Sequence, residues 1–323
     1  MKALVLKDQY KIHNFNGLGR LSELVIVSEN IRIKEIKPVL AKYISDSQVL
    51  LKRSVVPDEM AIHDIRVLMK KSRAVLRLIG PLINSGLNDK DFQSLKRVGM
   101  IMSDWRDTSV HRKILKELKK DYPFIFSHLQ GNVKISNLMT KPDHITEPGM
   151  EMKKGIDEID DLLRKTQYRI RFQQIQKIDP VKLIERLELS HDVGRKIYLE
   201  CINNPKPEKI HELRKRSKDF LYQLYFFRPI KPASVKSLEK KVERMTIFLG
   251  KYNDHFQLLK TIGYVYPDEA NTPALDELVI KIREKQNRYL SRVWPSAYKC
   301  FCPGLRLVDI LGFKNIKPDN PIF

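Results

Sequence analysis

A helical unit occurs twice in this chain of 323 residues, and the second copy begins 148 positions after the first. Each copy opens with a histidine that is followed by a basic stripe: HDIRVLMKKSRAVLRL begins at His63, and HELRKRSKDFLYQLYF begins at His211. The same separation relates further pairs of identical residues, namely Ile36/Ile184, Leu51/Leu199, Pro57/Pro205, Arg66/Arg214 and Lys70/Lys218. The repeat therefore predicts two similar halves that each present a histidine and basic side chains.

A large excess of positive charge indicates a polyanionic partner. The sequence contains 60 Lys and Arg residues against 39 Asp and Glu residues, which gives a formal net charge of +21. Such a charge repels itself in the compact state, and it favours nucleic acid, an acidic membrane surface or a phosphate polymer as the partner. A hydrophobic fraction of 42% is sufficient for a sizeable core, so the composition is typical of a folded protein with amphipathic helices.

The cysteines indicate a reducing compartment. The three residues Cys201, Cys300 and Cys302 do not provide an even disulfide framework. Cys300 and Cys302 could supply half of a zinc site, but the sequence has no second cysteine pair, so we expect no metal and no other cofactor. No segment is long and apolar enough to span a bilayer, and the N-terminus meets a polar residue too early for a secretory signal. We therefore expect a cytoplasmic protein without membrane insertion.

Helix signals dominate the chain from about residue 36 onward. Residues 1–35 lie outside the repeat, and β-branched alternation over Val25–Ile33 predicts a short strand or an irregular arm. Residues 36–180 are predicted to form the first half and residues 181–323 the second, with about four helices in each. Proline and acidic residues at Pro57–Glu59 mark the start of the first histidine-bearing helix. No motif of a nucleotide-binding α/β fold occurs, so the predicted fold is all-α.

The basic stripe of the first histidine-bearing helix does not lie opposite its apolar face. At about 100° per residue, one histidine and four cations fall within roughly 80° of one another on the helix surface. They are His63, Arg66, Lys70, Arg73 and Arg77. Apolar residues flank this arc on both sides, whereas a solvated charged face normally lies opposite the apolar face. The stripe is therefore expected to line a groove between helices. Because the sequence offers no matching acidic stripe, an external polyanion would supply the missing charge.

The second histidine-bearing helix carries a reduced form of the stripe. His211, Arg214 and Lys218 share an arc with Tyr222 and Tyr225, so two tyrosines take the later basic positions. Hydroxyl donors replace charges there, and weaker anion binding is expected from this half. A single basic stripe on a helix is most often only a solvated face. The duplication and the apolar flanks favour a binding site in this chain.

An acidic residue follows each of these helices at nearly the same distance. Asp107 ends the segment MSDWRD, and Asp254 ends the segment LGKYND. Two roles are open for these acids: a cap at a helix terminus, or a carboxylate that orients a histidine or an arginine of the basic face. Trp105 and Tyr252, at the equivalent place in the two halves, are expected to be packing residues.

The order of these motifs resembles that of the CHAD family, the conserved-histidine α-helical domain. The resemblance rests on the two His-Arg-Lys segments, WRD and LGKYND, and it covers roughly residues 36–300. It implies two four-helix bundles that are related by pseudo-twofold symmetry, with a basic cleft or pore between them. It also implies a stand-alone module that binds inorganic polyphosphate without catalysis, in association with polyphosphate granules. Other polyanions are possible partners.

The stripes and the resemblance together assign nine residues to polyphosphate binding. They are His63, Arg66, Lys70, Arg73, Arg77, His211, Arg214, Lys218 and Tyr222. Three features depart from the family pattern. Met102-Ser103 replaces the usual Leu-Gly, Asn253 replaces an arginine before the second acid, and Tyr225 stands where the first half has an arginine.

Two alternative functions remain open at this stage. Single-stranded nucleic acid is one possible ligand, because tyrosines accompany the basic residues of the second helix. A phosphate-processing enzyme is the other alternative, with His63 or His211 as phosphoryl acceptor or general acid, or with the His-Asp dipeptides at positions 63 and 191 as metal ligands. The sequence shows no clustered carboxylates for the Mg²⁺ that phosphoryl transfer normally uses, which favours binding over catalysis.

Overall fold

The computed structural model of the chain describes residues 32–83, 85–105, 107–140, 149–263, 272–304 and 306–311. All regular structure in these ranges is helical, which confirms the all-α prediction. The predicted N-terminal arm lies outside the described residues up to position 31. Of the strand predicted over Val25–Ile33, only the last two residues are described, and Ile33 is already helical.

Twelve α-helices occur in the described residues. The first half contains α1 (Ile33–Leu51), α2 (Glu59–Ile79), α3 (Ser85–Asp104), α4 (Asp107–Asp121), α5 (Pro123–His128), α6 (Val133–Met139) and α7 (Met150–Ile170). The second half contains α8 (Pro180–Asn203), α9 (Pro207–Leu224), α10 (Pro232–Thr261), α11 (Pro273–Phe301) and α12 (Leu307–Leu311). Short 3₁₀ turns are formed by Gly80–Leu82, Ile175–Lys177 and Tyr225–Phe227. The histidine-bearing helices of the sequence analysis are α2 and α9.

Local sequence determines where α2 and α9 begin. Asp58 caps α2 by accepting a 2.6 Å hydrogen bond from the backbone amide of Ala61, which confirms the predicted start at Pro57–Glu59. Pro207 occupies the first turn of α9, where a helix has no use for the N–H group that proline lacks. The first residues of both helices thus fix where each helix begins.

Four helices of each half pack around a shared apolar core. In the first half α1 contacts α2, α2 contacts α3, α3 contacts α7, and α7 returns to α1. In the second half α8, α9, α10 and α11 contact one another in the same order. Where the halves meet, α2 packs against both α8 and α9, and one continuous apolar core extends through both halves. The two histidine-bearing helices therefore lie side by side.

The segment between α3 and α7 contains the three shorter helices α4, α5 and α6. Together with the C-terminal end of α10 and the N-terminal end of α11 they form a second, smaller apolar core, which includes Leu115, Leu258 and Leu278. An insertion in the first half thus packs on helices of the second half. This packing also brings α4 next to the place where α2 and α9 meet.

Two ion pairs of very different burial link α3 to the α7 region. The carboxylate of Asp91 is fully buried, and it accepts hydrogen bonds from Arg169 Nε at 2.6 Å and from Gln173 Nε2 at 2.8 Å. On the exposed side of the same helices, Arg97 donates from two nitrogens to Glu158, at 2.6 and 2.9 Å. Burial raises the pKa of Asp91, although the contact with Arg169 acts in the opposite direction.

We predict that Asp91→Ala destabilises the protein far more than Glu158→Ala does. The first substitution leaves the guanidinium of Arg169 without its buried partner, which costs about 3–5 kcal/mol. An exposed pair such as that of Glu158 contributes about 0–1 kcal/mol. Urea unfolding followed by far-UV circular dichroism measures both free energies of unfolding. Equal losses in the two variants would contradict the structural role given to Asp91.

Candidate functional site

A cleft of about 640 Å³ lies between α2 and α9, and α3, α4 and α10 complete its walls. Among the described residues, nine lysines and arginines line it: Arg66, Lys70, Arg73, Arg77 and Lys96 from the first half, and Arg214, Lys215, Arg216 and Lys218 from the second. Three carboxylates, those of Glu212, Asp219 and Asp254, also belong to the lining, so these described side chains have an excess of six positive charges. The cleft is therefore strongly attractive for anions.

The cleft brings together seven of the nine residues that the sequence assigned to ligand binding. They are Arg66, Lys70, Arg73, Arg77, His211, Arg214 and Lys218. The other two lie elsewhere. His63, in the first turns of α2, is exposed and does not line the cleft. Tyr222 lies behind Lys218, outside the lining.

Contacts on both flanks of α2 explain why its basic stripe opens into the cleft. On one flank Ile65 and Met69 are fully buried in the core. On the other flank Gln223 of α9 donates a 3.0 Å hydrogen bond from Nε2 to the backbone carbonyl of Ala74. The arc between these flanks faces the space that α2, α3 and α9 enclose. This is the groove that the two apolar flanks of the stripe predicted.

At the α2 side of the cleft, one acid pairs with Arg77 and acts on the neighbouring Arg73 through its charge. Arg77 forms an ion pair with Asp219 of α9, and its guanidinium carbon lies 4.8 Å from the ring centre of Phe92 on α3. Nε of Arg73 donates to the carbonyl of Met69 at 3.3 Å. Burial, and next the neighbouring Arg77, lower the pKa of Arg73. Asp219 is one acid and not an acidic stripe, so it matches only part of the positive charge of the basic stripe.

At the α9 side, buried cationic groups lie close together. Nε of Arg214 is buried and has no hydrogen-bond partner among the described residues. Burial, and next the charge of Arg214, lower the pKa of Lys218. The ammonium groups of Lys218 and Lys71 lie 5.9 and 6.0 Å from the ring centre of Tyr222. Burial raises the pKa of Tyr222 to about 12, so its hydroxyl stays protonated near neutral pH.

His211 contacts an amide rather than an acid. Its Nδ1 lies 2.6 Å from Oδ1 of Asn253 on α10, which fits an N–H that donates to the amide oxygen. Burial lowers the pKa of His211, so its neutral form is favoured near neutral pH. Asp254 lines the cleft one residue further along α10. The side chain of Asp107, the corresponding acid of the first half, lies outside the described residues.

Sequence reasoning missed cleft residues that come from other helices. Lys96 on α3, His111 on α4, and the amides Asn253 and Gln257 on α10 all belong to the lining. A helical wheel of α2 or α9 contains no information about them. Lys215 was visible on α9, but it falls outside the arc of the stripe. The aromatic residues at the equivalent place of the two halves pack as expected, since Tyr252 is buried and Trp105 packs against the core.

The second His-Asp dipeptide has a structural environment. His191 is fully buried, and its Nε2 lies 2.8 Å from the carbonyl oxygen of Cys300. Its ring centre lies 5.5 and 5.4 Å from those of Phe220 and Phe301. Among the described residues, no group of three or more His, Cys, Asp and Glu side chains is arranged to hold a metal ion. None of the described helices is long and apolar enough to cross a membrane.

We predict that Asn253→Asp raises the pKa of His211. A carboxylate in place of the amide favours the charged imidazole, and the expected upward shift is about one unit or more. An NMR titration of the ring measures this pKa, and the spectrum of His211→Gln assigns its signal. An unchanged pKa in Asn253→Asp would contradict the contact between the two side chains.

Comparison with known protein families matches residues 40–262 to the CHAD domain. The matched region begins in α1 and ends just after α10, so it contains both histidine-bearing helices and most of the cleft. The resemblance inferred from the motifs is therefore confirmed. Neither the curated proteins nor the solved structures contain a match to this chain.

Proposed function

The chain belongs to the CHAD domain family, and from this premise we propose that its cleft binds inorganic polyphosphate without catalysis. The observation that carries this proposal is the convergence of two basic stripes, from α2 and α9, on one cleft whose described lining has six positive charges in excess. We further propose that the halves, residues 36–180 and 181–323, are two bundles related by a pseudo-twofold axis. The same order of helix contacts in each half supports that relation.

The chemistry of the lining suits a linear phosphate polymer. Polyphosphate carries about one negative charge per phosphate and presents oxygen acceptors on every side. Arginine can donate to two such oxygens at once, and lysine adds a compact charge. Nε of Arg214 is a buried donor at this surface for which the described residues supply no acceptor. A bound phosphate oxygen would satisfy a donor of this kind, since a buried polar group without a partner is costly.

The aromatic content of the cleft favours polyphosphate over single-stranded nucleic acid. Proteins that bind single strands stack bases on exposed aromatic rings. Among the described lining residues, Phe92 is the one phenylalanine, tyrosine or tryptophan, and the guanidinium of Arg77 lies over its ring. Tyr222 and Tyr225, which kept the alternative open, do not line the cleft. A ligand without bases therefore fits this lining better.

The surroundings of His211 favour binding over acid–base catalysis. A catalytic histidine is commonly paired with a carboxylate that stabilises its charged form. His211 has the amide of Asn253 as its partner, and burial lowers its pKa. We therefore propose that this histidine contributes a hydrogen-bonding group to the cleft. Release of orthophosphate from polyphosphate by the purified chain, lost in His211→Gln, would contradict this part of the proposal.

The expected ligand also suggests where the protein acts. We propose a cytoplasmic location in association with polyphosphate granules, because a polyphosphate-binding cleft would be retained where the polymer accumulates. A fluorescent fusion that co-localises with polyphosphate staining would support this location, and a uniform distribution in cells rich in polyphosphate would contradict it.

We predict that removal of two cleft cations from α2 weakens polyphosphate binding by about a hundredfold or more. The double variant Arg66→Gln with Lys70→Gln loses two charge-assisted contacts of about 1.5–3 kcal/mol each. Arg214→Gln with Lys218→Gln should lose less, because the stripe of α9 contributes two cations to the cleft and that of α2 contributes four. Calorimetric titration with long-chain polyphosphate at several salt concentrations measures both affinities, which should fall with salt as counterions are released.

The control for this experiment is Lys236→Gln. Lys236 lies on α10, is exposed and does not line the cleft, so the variant removes charge without touching the site. It should bind polyphosphate like the unmodified chain. Competition with single-stranded and duplex DNA tests the alternative ligand. Wild-type affinity in both double variants, or tighter binding of either DNA than of polyphosphate, would overturn the proposed function.

A further inference from the structure

Asp219 is the carboxylate of the cleft that pairs with one of the predicted phosphate-binding arginines. It lies on α9, and its partner Arg77 lies on α2, so the ion pair joins the two helices across the cleft. The acid has no equivalent in the first half, because the residue 148 positions earlier is Lys71. This one position of the repeat thus places a negative charge in a surface of positive charge.

The surroundings of Asp219 resemble those expected for a bound anion. Its side chain is only 14% exposed. Burial raises the pKa of the Asp219 carboxyl group, whereas the charges of Arg77, Arg216 and Arg73 act in the opposite direction. Arg77 itself remains 35% exposed, so a ligand could reach its guanidinium from the cleft. The carboxylate therefore occupies part of the cationic surface that a phosphate would otherwise contact.

We infer that Asp219 competes with the ligand for Arg77. Its carboxylate pairs with Arg77 when no phosphate is bound, and it thereby lowers the affinity of the cleft for polyanions. This inference rests on the proposed function. A phosphate that binds Arg77 must displace the carboxylate or share the arginine with it. In either case the negative charge of Asp219 opposes the approach of a second negative charge.

The same repulsion should weaken the binding of a chain end more than the binding of a chain interior. A terminal phosphate carries close to two negative charges near neutral pH, whereas an interior phosphate carries about one. The carboxylate therefore opposes a terminal group more strongly than an interior group. Long-chain polyphosphate consists mainly of interior groups, and pyrophosphate consists of two terminal groups. Asp219 is thus expected to discriminate against the shortest ligands.

The decisive variant is Asp219→Asn, which keeps the size of the side chain and removes its charge. We expect about fivefold tighter binding of long-chain polyphosphate, which is the size of effect expected for one partly screened charge contact. A larger gain is expected for pyrophosphate. Calorimetric titration with each ligand at one fixed salt concentration measures both gains. Weaker or unchanged binding would overturn the inference. Weaker binding is the result expected if the carboxylate only holds Arg77 in place for the ligand.

Glu212→Gln is the matched control. Glu212 lines the same cleft and carries the same charge, but it bonds Arg216 at 2.7 Å and Lys215 at 3.3 Å on its own helix. It should tighten binding much less than Asp219→Asn does. Equal gains in the two variants would mean that total charge alone matters, and they would contradict a specific role for Asp219.

A second background tests whether the effect passes through Arg77. In Arg77→Gln, the added Asp219→Asn change should give a gain no larger than that of Glu212→Gln, because the contested arginine is absent. A full gain in that background would contradict competition for Arg77. These outcomes differ from a failure of the proposed function, in which the unmodified chain itself would not bind polyphosphate. Far-UV circular dichroism verifies that each variant is folded.

Discussion

The contact between α2 and α9 is the arrangement on which the rest of the structure depends. Two helices with basic stripes lie side by side. If the stripes faced each other directly without counter-charges, repulsion between them would oppose this packing. The apolar flanks of α2 and the hydrogen bond from Gln223 to Ala74 hold the helices together next to the stripes. The basic side chains of both helices therefore line a shared cleft. The packing of α2 on α9 thus forms both the continuous core and the candidate site.

Concentrated positive charge has a cost, and the protein offsets it in two ways. Asp219 neutralises part of the field at Arg77, and the ring of Tyr222 lies near two ammonium groups. Burial adds to the cost, because it disfavours the charged forms of Arg73 and Lys218. A bound polyanion would reverse the last effect, because a nearby negative charge favours the charged form of each cation. Ligand binding and the stability of the folded state are thus coupled through the same residues.

Much of this architecture was predictable because it is encoded within single helices. The repeat, the start of α2 near Pro57–Glu59 and the groove beside its stripe all follow from the sequence of the two helices themselves. Contacts between helices were not predictable in the same way. Asp219 follows Lys218 directly in sequence, and nothing in a wheel of α9 reveals that it reaches Arg77 on another helix. His63 shows the converse, since it shares the arc of the stripe on a wheel but does not line the cleft, whereas His211 at the equivalent position of α9 does.

The two halves differ in the role of one repeat position, which is Arg77 in the first half and Tyr225 in the second. Arg77 lines the cleft, whereas Tyr225, 148 positions later, accepts a 2.9 Å hydrogen bond from Arg32 just before α1. The guanidinium carbons of Arg32 and Arg228 also lie 5.3 and 4.8 Å from its ring centre. Tyr225 therefore connects the start of α1 to the second half. A cation at that position would face two arginines, so the second half has a joint between the halves where the first half has a ligand-facing charge.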